Sequence, residues 1–371
     1  MVNRDRLVEE FCQLVRIDSI SKKEREMADC LKLKLTKLGF EVYEDDAGKK
    51  IGGNAGNLIC TLKGAESLPS VLFMAHIDTV VPGIGKKPIV DGDYVKSDGK
   101  TVLGADDLAG VEIILEAMRC IKENNIEHGD IEVVFTVAEE IGLLGSKNLD
   151  FSKIKSKFGF ILDSGSKGSV IVGAPSENLI DIIVYGKAAH AGVEPENGVD
   201  AIRIASEAIA NMKLGRIDFE TTSNIGIING GRATNIICER VDLKGEARSR
   251  DDKKLAKQTE HMEDCFKKAA EKYDGKVDFK FEKCYSGYKI KKDEPVLRLF
   301  EKASKASGVE ANLISMNGGS DANILNEKGI RALNISMGAE KYHTVNEVAD
   351  INEMVKMAQL LINIVKDVKQ M

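Results

Sequence analysis

Four short, nearly unbroken apolar runs recur along the chain, and each is followed closely by acidic or histidine side chains. They cover residues 71–75, 131–137, 158–162 and 332–336. Runs of this length are typical of strands in a sheet that helices cover on both faces. Apolar positions at helical spacing, as in residues 7–15 and 111–118, predict helices between them. The pattern therefore predicts an α/β fold.

A second helix is predicted near the start of the chain. Ser21 followed by Glu24 has the spacing of a capping box, which would open a helix that carries Met27 and Leu31. Gly39 should end this helix, and residues 40–43 resemble a short strand.

The pattern changes between residues 178 and 286. Strands are predicted over 179–185, 225–229, 235–238, 241–247 and 277–281, with helices over 199–212 and 255–273. We interpret this order as β-α-β-β-α-β, the unit of ferredoxin-like domains. It predicts one domain from residues 1–177 and 287–371, with a smaller domain, residues 178–286, inserted into it.

Composition excludes several classes of protein. The net charge of -6 gives no attraction for a phosphate backbone, so a nucleic acid partner is not expected. The 7 cysteines are odd in number and scattered, which predicts reduced thiols rather than a disulfide framework. The charged N-terminal segment resembles neither a signal peptide nor a membrane span, so we expect a cytoplasmic protein without a membrane partner.

His76 and Asp78 follow the first apolar run. Residues two apart on a strand point to the same side, so these two side chains can meet. One interpretation makes His76 a metal ligand and Asp78 the acid that fixes its tautomer. The other is a surface histidine beside a surface acid, and these two residues alone favour neither.

Asp106 lies in the sequence Gly-Ala-Asp-Asp-Leu-Ala-Gly, residues 104–110, at the start of a predicted helix. An acid at this position also suits simple helix capping. Capping does not explain the two framing glycines, which indicate backbone that approaches a neighbour closely.

Glu139 and Glu140 follow the run 131–137. Adjacent carboxylates repel each other unless a cation or a shared proton relieves them. Neighbours in an extended chain face opposite ways, so this dipeptide can provide one metal ligand and one general base.

Asp163 ends the third run, and His343 lies in the loop after the fourth. A single loop histidine is more often structural than a ligand. Ligands in open α/β sheets bind at the carboxyl ends of strands, however, and all these residues are predicted there or in loops. Two histidines and three carboxylates suit Zn²⁺, with Mn²⁺ or Co²⁺ as alternatives.

Five separated pieces of the sequence resemble, in residue type and order, the M20 family of metallopeptidases: His76-x-Asp78, Gly-Ala-Asp106-Asp, Glu139-Glu140, Asp163 and His343. The piece around Asp106 is most similar to the peptidase T (tripeptidase) branch, and the resemblance covers essentially the whole chain. It implies a zinc-peptidase-type catalytic domain with a mixed central sheet flanked by helices. The inserted ferredoxin-like domain would be a lid or dimerisation domain.

The resemblance also implies roles for these residues. Asp106 would bridge two divalent ions, with His76 and Asp163 completing the first site. Glu140 and His343 would complete the second site. Glu139 would be the base that deprotonates the metal-bridging water, and Asp78 would orient His76.

Further matches concern the substrate. Ala-Ala-His190-Ala-Gly resembles the family's histidine loop, which donates to the developing oxyanion. Asn235 is similar to a substrate-side asparagine, and Arg248 to an arginine that grips a substrate carboxylate, although Arg250 is an alternative. Asp321, in Gly-Gly-Ser-Asp, resembles a substrate-pocket residue, but the same sequence suits an ordinary helix start capped by its serine.

The resemblance implies an aminopeptidase that acts on short peptides, tripeptides being the expectation for peptidase T. An N-acyl-amino-acid amidohydrolase or carboxypeptidase on the same fold is the main alternative, and no residue decides between them. A non-catalytic metal- or peptide-binding protein would not need Glu139, so this residue favours an enzyme. The substrate would be a short peptide or an N-acyl amino acid, and the inserted domain could build a homodimer.

Overall fold

The computed structural model describes residues 1–165 and 167–370. The helices are α1 (Arg4–Val15), α2 (Arg25–Leu38), α3 (Ala47–Ile51), α4 (Ala105–Glu123), α5 (Leu144–Lys147), α6 (Ala201–Ala210), α7 (Asp252–Lys272), α8 (Pro295–Ser307), α9 (Asp321–Glu327) and α10 (Ile351–Asp367). The strands are β1 (Glu41–Glu44), β2 (Leu58–Leu62), β3 (Val71–His76), β4 (Ile89–Asp91), β5 (Tyr94–Lys96), β6 (Ile131–Thr136), β7 (Phe158–Ser164), β8 (Ser169–Ala174), β9 (Ser176–Tyr185), β10 (Gly215–Arg216), β11 (Thr221–Gly230), β12 (Arg240–Ser249), β13 (Lys276–Tyr285), β14 (Tyr288–Lys289), β15 (Asn312–Ser315), β16 (Arg331–Ser336), β17 (Ala339–Glu340) and β18 (Val348–Asp350). No helix within the described residues is long and apolar enough to cross a membrane.

The chain divides into two compact units. The first comprises Met1–Val172, Lys289–Ser315 and Ser320–Met371, and the second comprises Gly173–Tyr288 and Met316–Gly319. The sequence predicts domain boundaries at 177/178 and 286/287, whereas the two units divide at 172/173 and 288/289. It also does not predict that residues 316–319 join the second unit. That the second unit acts as a lid or a dimerisation domain stays a prediction.

The central nine-stranded sheet has the order β1-β2-β6-β3-β7-β16-β8-β14, with β15 pairing to β8. The four apolar runs are the consecutive strands β6-β3-β7-β16, which pair in parallel. Every residue of β3 and β6 is buried, as expected for strands covered on both faces. The outer pairs β1–β2, β2–β6 and β16–β8 are antiparallel, so the sheet is mixed, as predicted. The carboxyl ends of the four parallel strands therefore lie at one edge.

Aromatic side chains fill the core beside this sheet. Phe73 on β3, Phe160 on β7 and Phe300 on α8 are fully buried. The ring centroids of Phe73 and Phe160 are 6.1 Å apart, and those of Phe160 and Phe300 are 6.4 Å apart. These contacts hold α8 against the strands that carry the candidate ligands.

Helix α2 carries Met27 and Leu31, as predicted, but it begins at Arg25 and not directly after Ser21. Glu24 is the N-cap residue and makes no side-chain capping bond, so the predicted capping box is wrong. The Ser21 hydroxyl instead donates to Asp78 Oδ2 at 2.6 Å, and Glu24 Oε1 accepts from the Ala138 backbone N–H at 3.0 Å. Both side chains therefore bond to residues that follow β3 and β6 and not to the start of the helix. Gly39, with φ 95°, ends the helix as expected.

The second unit contains a five-stranded sheet of order β10-β11-β12-β9-β13, whose long strands pair antiparallel. Its core includes Val184 on β9, Leu243 on β12 and Phe266 on α7. The order β11-β12-β9-β13 is that of a β-α-β-β-α-β unit. The strand predicted over 235–238 is wrong, because this segment turns and forms one isolated bridge, between His190 and Ile236.

A four-stranded sheet, β17-β18-β5-β4, completes the first unit. The segment between β17 and β18 contains His343.

Candidate metal centre

Three parallel strands carry candidate ligands at their carboxyl ends. His76 is the last residue of β3, and Asp163 is the next-to-last residue of β7. Glu139 and Glu140 follow the end of β6, and Ala138 before them has a left-handed backbone, with φ 50°. A non-glycine residue in this region is uncommon and often accompanies a functional site.

Asp106 does not act as a helix cap. Helix α4 begins at Ala105, but Asp106 and Asp107 have non-helical backbone angles, and the residue at the N-cap position is Gly104, which has no side chain to cap the helix. The two carboxylate oxygens of Asp106 instead face different histidines. Oδ1 is 3.2 Å from His76 Nε2, and Oδ2 is 3.1 Å from His343 Nε2.

The framing glycines have the close contacts that the sequence predicts. Gly104 has φ +77°, and a Cβ there would lie 2.9 Å from Thr79 Cγ2. A Cβ on Gly110 would lie 2.5 Å from the Leu162 carbonyl oxygen, directly before Asp163. Any side chain at Gly110 would therefore separate α4 from β7.

His343 reaches the same place from its loop. Its Nε2 is 2.9 Å from Glu140 Oε1, and its backbone φ is 62°. The possible ligand atoms of His76, Asp106 and Glu140 all lie within 4.8 Å of one another. The structure thus brings together four of the five predicted metal ligands by direct contact.

Charge on the two histidines is coupled to the neighbouring acids. Burial lowers the pKa of His76, but the hydrogen bonds that its ring makes to the Asp106 and Asp78 carboxylates outweigh burial and raise this pKa well above its usual range. Hydrogen bonds to Asp106 and Glu140 raise the pKa of His343 to about 10. Burial alone would raise the pKa of Asp106, but His343 and His76 lower it to about 2.

The remaining acids repel one another. Burial, reinforced by the charge of Asp163, raises the pKa of Glu139 well above its usual range. Burial and then the charge of Asp106 raise the pKa of Asp163, the fifth predicted ligand, in the same way. Among the described residues, the buried Asp107 Oδ1 has no hydrogen-bond partner. Crowded, under-compensated carboxylates beside two imidazoles fit divalent cations.

Asp78 holds several of these groups at once. Its backbone carbonyl oxygen lies 3.0 Å from His76 Nδ1, and its Oδ1 lies 3.4 Å from the same nitrogen. Its carboxylate also accepts the backbone N–H groups of Glu139, at 2.9 Å, and Glu140, at 3.3 Å. Asp78 therefore contacts His76 and fixes the backbone of the paired glutamates, and its role in orienting His76 as a metal ligand stays a prediction.

Sequence reasoning missed other residues that hold the ligand backbone. Asn334 Oδ1 accepts from the Asp163 N–H at 3.1 Å, and Asn334 Nδ2 donates to the Asp163 carbonyl at 3.0 Å. The signal was a fully polar side chain inside an apolar strand. Glu347 similarly accepts the Asp106 backbone N–H at 3.0 Å, a contact that its position four residues after His343 did not predict.

Asp321 is buried at the start of α9. Its side chain is only 2% exposed, and its Oδ2 accepts the Thr136 hydroxyl at 2.5 Å. Ser320 caps α9, as the alternative interpretation has it. The Asp321 side chain is therefore buried and bonded to the last residue of β6, and its contact with a substrate stays a prediction.

His190 and Asn235 lie together in the second unit. The Ala191 N–H donates to the Asn235 carbonyl at 3.0 Å, and His190 Nδ1 accepts from the Gly192 N–H at 3.2 Å. Both residues are exposed. Their roles toward a substrate stay predictions.

The two candidate arginines of the second unit are both engaged. Arg248 Nη2 lies 2.8 Å from both Glu177 Oε1 and Glu246 Oε2. Arg250 donates to Asn317 Oδ1 at 2.5 Å and to the Phe219 carbonyl at 3.2 Å. A substrate carboxylate would have to compete with these partners, so the geometry selects neither arginine.

Comparison with known proteins places this arrangement among peptidases. The family model described as Peptidase family M20/M25/M40 matches residues 72–367. The chain is 47% identical over 368 residues to the uncharacterized protein YqjE of Bacillus subtilis strain 168, covering 99% of both chains. The crystal structure of aminopeptidase PepT from Bacillus cereus ATCC 10987 is similar with a TM-score of 0.91 and 44% identity, covering 99% of both chains. A tripeptidase structure from Staphylococcus aureus subsp. aureus Mu50 has a TM-score of 0.95 and 42% identity, covering 100% of both chains.

Proposed function

This chain belongs to peptidase family M20/M25/M40, and we propose that it is a dinuclear metal-dependent aminopeptidase that removes N-terminal residues from short peptides. The observation that carries this proposal is the position of Asp106. Its two oxygens face separate histidines, with Glu140 beside one of them. A carboxylate placed in this way is suited to sharing two cations.

The residues divide naturally between two ions. His76 and Asp163 would hold one ion together with Asp106, and Glu140 and His343 would hold the other. Nitrogen and carboxylate oxygen donors without cysteine favour Zn²⁺, with Mn²⁺ and Co²⁺ as alternatives. When bound, two such ions supply Lewis-acid polarisation of the scissile carbonyl and activate water as a nucleophile at neutral pH.

Glu139 is the residue we assign as general base. Its side chain is 9% exposed, and its backbone is fixed by Asp78. It would take a proton from the attacking water and return it to the leaving amine, which needs a carboxylate next to the ligands but not itself a ligand. Asp78, which contacts both residues, would hold Glu139 and His76 at a fixed distance from each other.

The substrate class is inferred from the relatives. The PepT and tripeptidase structures are 44% and 42% identical and are matched over nearly their full length. We infer that this chain likewise takes tripeptides with a free N-terminus.

A hydrolysis screen with metal-loaded protein tests this proposal. It should compare dipeptides, tripeptides, the same tripeptides with acetylated N-termini, and N-acyl amino acids. We expect cleavage of the first peptide bond of free tripeptides and little cleavage of the acetylated ones. Preferential hydrolysis of N-acyl amino acids would replace the aminopeptidase proposal with amidohydrolase activity, and no hydrolysis of any substrate would reject both.

A further inference from the structure

Glu347 connects two distant parts of the chain at the candidate metal centre. The residue is 1% exposed. Its Oε2 accepts the Gly104 N–H at 2.8 Å, and its Oε1 accepts the Asp106 N–H at 3.0 Å. Both bonds are buried, and they join residues more than 240 positions apart in the sequence.

These two N–H groups need an acceptor from outside their own segment. Asp106 has φ -82° and ψ 100°, so the chain is not yet helical there and the groups lie at the start of α4. The first N–H groups of a helix have no partner within it, and leaving them buried without one is costly. Because one carboxylate satisfies both, it also fixes the backbone from which the Asp106 side chain projects.

The backbone of Glu347 meanwhile closes the loop that carries His343. Its N–H donates to the Thr344 carbonyl at 3.2 Å, and its carbonyl accepts from the Ser97 N–H at 3.2 Å. This loop needs such support, because Lys341 and His343 both have left-handed backbones, with φ 56° and 62°. The His343 side chain is also 49% exposed, so packing alone holds it weakly.

We propose that Glu347 is a positioning residue that sets the distance between Asp106 and His343 and thereby prepares the site for metal. The inference rests on the proposed function in one respect, that these two residues are metal ligands. Glu347 touches no reacting group, and it acts through the backbone of one ligand and the loop of the other. Residues that orient ligands in this way typically contribute about 10–100-fold to metal affinity or activity.

The chain offers a matched control in Glu132. This residue is also 1% exposed, and its two carboxylate oxygens accept the backbone N–H groups of Lys155, at 2.8 Å, and Ser156, at 2.9 Å. Glu132 therefore accepts two backbone N–H groups as Glu347 does, but it lies on β6, away from the candidate ligands. Glu132→Gln should disturb folding much as Glu347→Gln does, since an amide nitrogen would face a backbone N–H in either variant.

The test is calorimetric titration of metal-free protein with Zn²⁺, and separately with Mn²⁺, for wild type and both variants. We expect Glu347→Gln to bind at least one of the two ions about 10–100-fold more weakly, and Glu132→Gln to bind both with wild-type affinity. In peptide hydrolysis at saturating metal, Glu347→Gln should lower kcat more than it changes KM, because it alters ligand geometry and not substrate contact.

The outcomes separate this inference from the proposed function. If wild type binds two ions and Glu347→Gln binds them equally tightly, the positioning role is wrong and the metallopeptidase proposal stands. An equal loss of affinity in Glu132→Gln would also overturn it, because the effect would then be general destabilisation. If wild type binds no ion, both proposals fail. Should Glu347→Gln not fold, Glu347→Asp, which keeps the charge but shortens the reach, should still weaken metal binding, and unchanged binding would again contradict the role.

Discussion

At the scale of single residues, the chemistry gathers around Asp106. Its carboxylate lies between His76 and His343, and Glu140 contacts the second histidine. The residue types were recognisable from the sequence because acids and histidines follow apolar runs. The roles of Ser21, Glu24, Asn334 and Glu347 were not recognised, since each side chain bonds to a group that is remote in sequence.

Glu139→Gln tests the assignment of the general base. Gln has nearly the same shape but cannot accept the proton, so we expect kcat to fall by at least about 10²–10⁴-fold. Metal content measured by elemental analysis should stay at the wild-type value, because Glu139 is not assigned as a ligand. Full activity in this variant would exclude the mechanism. Loss of metal together with activity would make Glu139 a ligand instead.

Lys86 provides a pH test that is independent of the ligands. It is 3% exposed, and its ammonium donates to the carbonyls of Ile17, at 3.0 Å, and Gly83, at 3.2 Å. Burial lowers the pKa of Lys86 to about 8. Between that pH and the usual lysine pKa the unfolded chain binds more protons than the folded one, so this residue makes stability rise with pH.

We therefore expect the free energy of unfolding of wild type, relative to Lys86→Met, to increase by about 3 kcal/mol from pH 8 to pH 10.5. Denaturant titrations at several pH values measure this difference. Lys87→Met, at the exposed neighbouring position, is the control and should follow the wild-type curve. Parallel curves for wild type and Lys86→Met would show that Lys86 is not the titrating group.

At the scale of elements, local pattern was a good guide where burial dictates it. The runs at 71–75, 131–137, 158–162 and 332–336 are strands because unbroken apolar sequence must be covered on both faces. The pattern did not predict the hydrogen-bond partners of polar side chains that can reach more than one group. Ser21 and Glu24 have capping spacing, but Asp78 and the Ala138 N–H are their partners in the folded protein.

The segment 235–238 shows a second limit of local pattern. Its apolar residues resemble a strand, yet the chain turns there, and its backbone bonds go to loops: the Ile237 N–H donates to the Ala189 carbonyl at 3.0 Å. A strand needs a neighbouring strand with free hydrogen-bonding groups, and sequence periodicity carries no information about whether one is present.

At the scale of the whole molecule, the predicted resemblance to peptidase T-like members of the M20 family is confirmed, as is the α/β fold with a mixed sheet. Five motifs separated along the chain were sufficient for this, because their order and residue types are seldom repeated by chance. The roles of the second unit, in closing over substrate or in forming a dimer, stay predictions.

Metal binding should be visible in the stability of the whole chain. An ion that binds only the folded state at about 100 times its Kd adds about 2.7 kcal/mol, which raises Tm. We expect a chelator to lower Tm and remove activity, and Zn²⁺, Mn²⁺ or Co²⁺ to restore both. The Asp106→Asn variant should show a much smaller metal-induced rise in Tm than wild type. Activity and Tm that are indifferent to chelation would exclude a metal-dependent enzyme.

The sequence by itself determined the four parallel strands of the central sheet, the edge at which their polar side chains collect, and the residue types of the candidate ligands. These follow from burial and from the alternation of side chains, which are local properties of the chain. Only the tertiary structure decided that Asp106 faces two histidines, that the Asp321 side chain is buried, and that Asp78 and Glu347 hold the ligand backbone. The physical reason is that a carboxylate can satisfy any buried N–H group within reach, and which group lies within reach depends on segments 61 to 243 residues away.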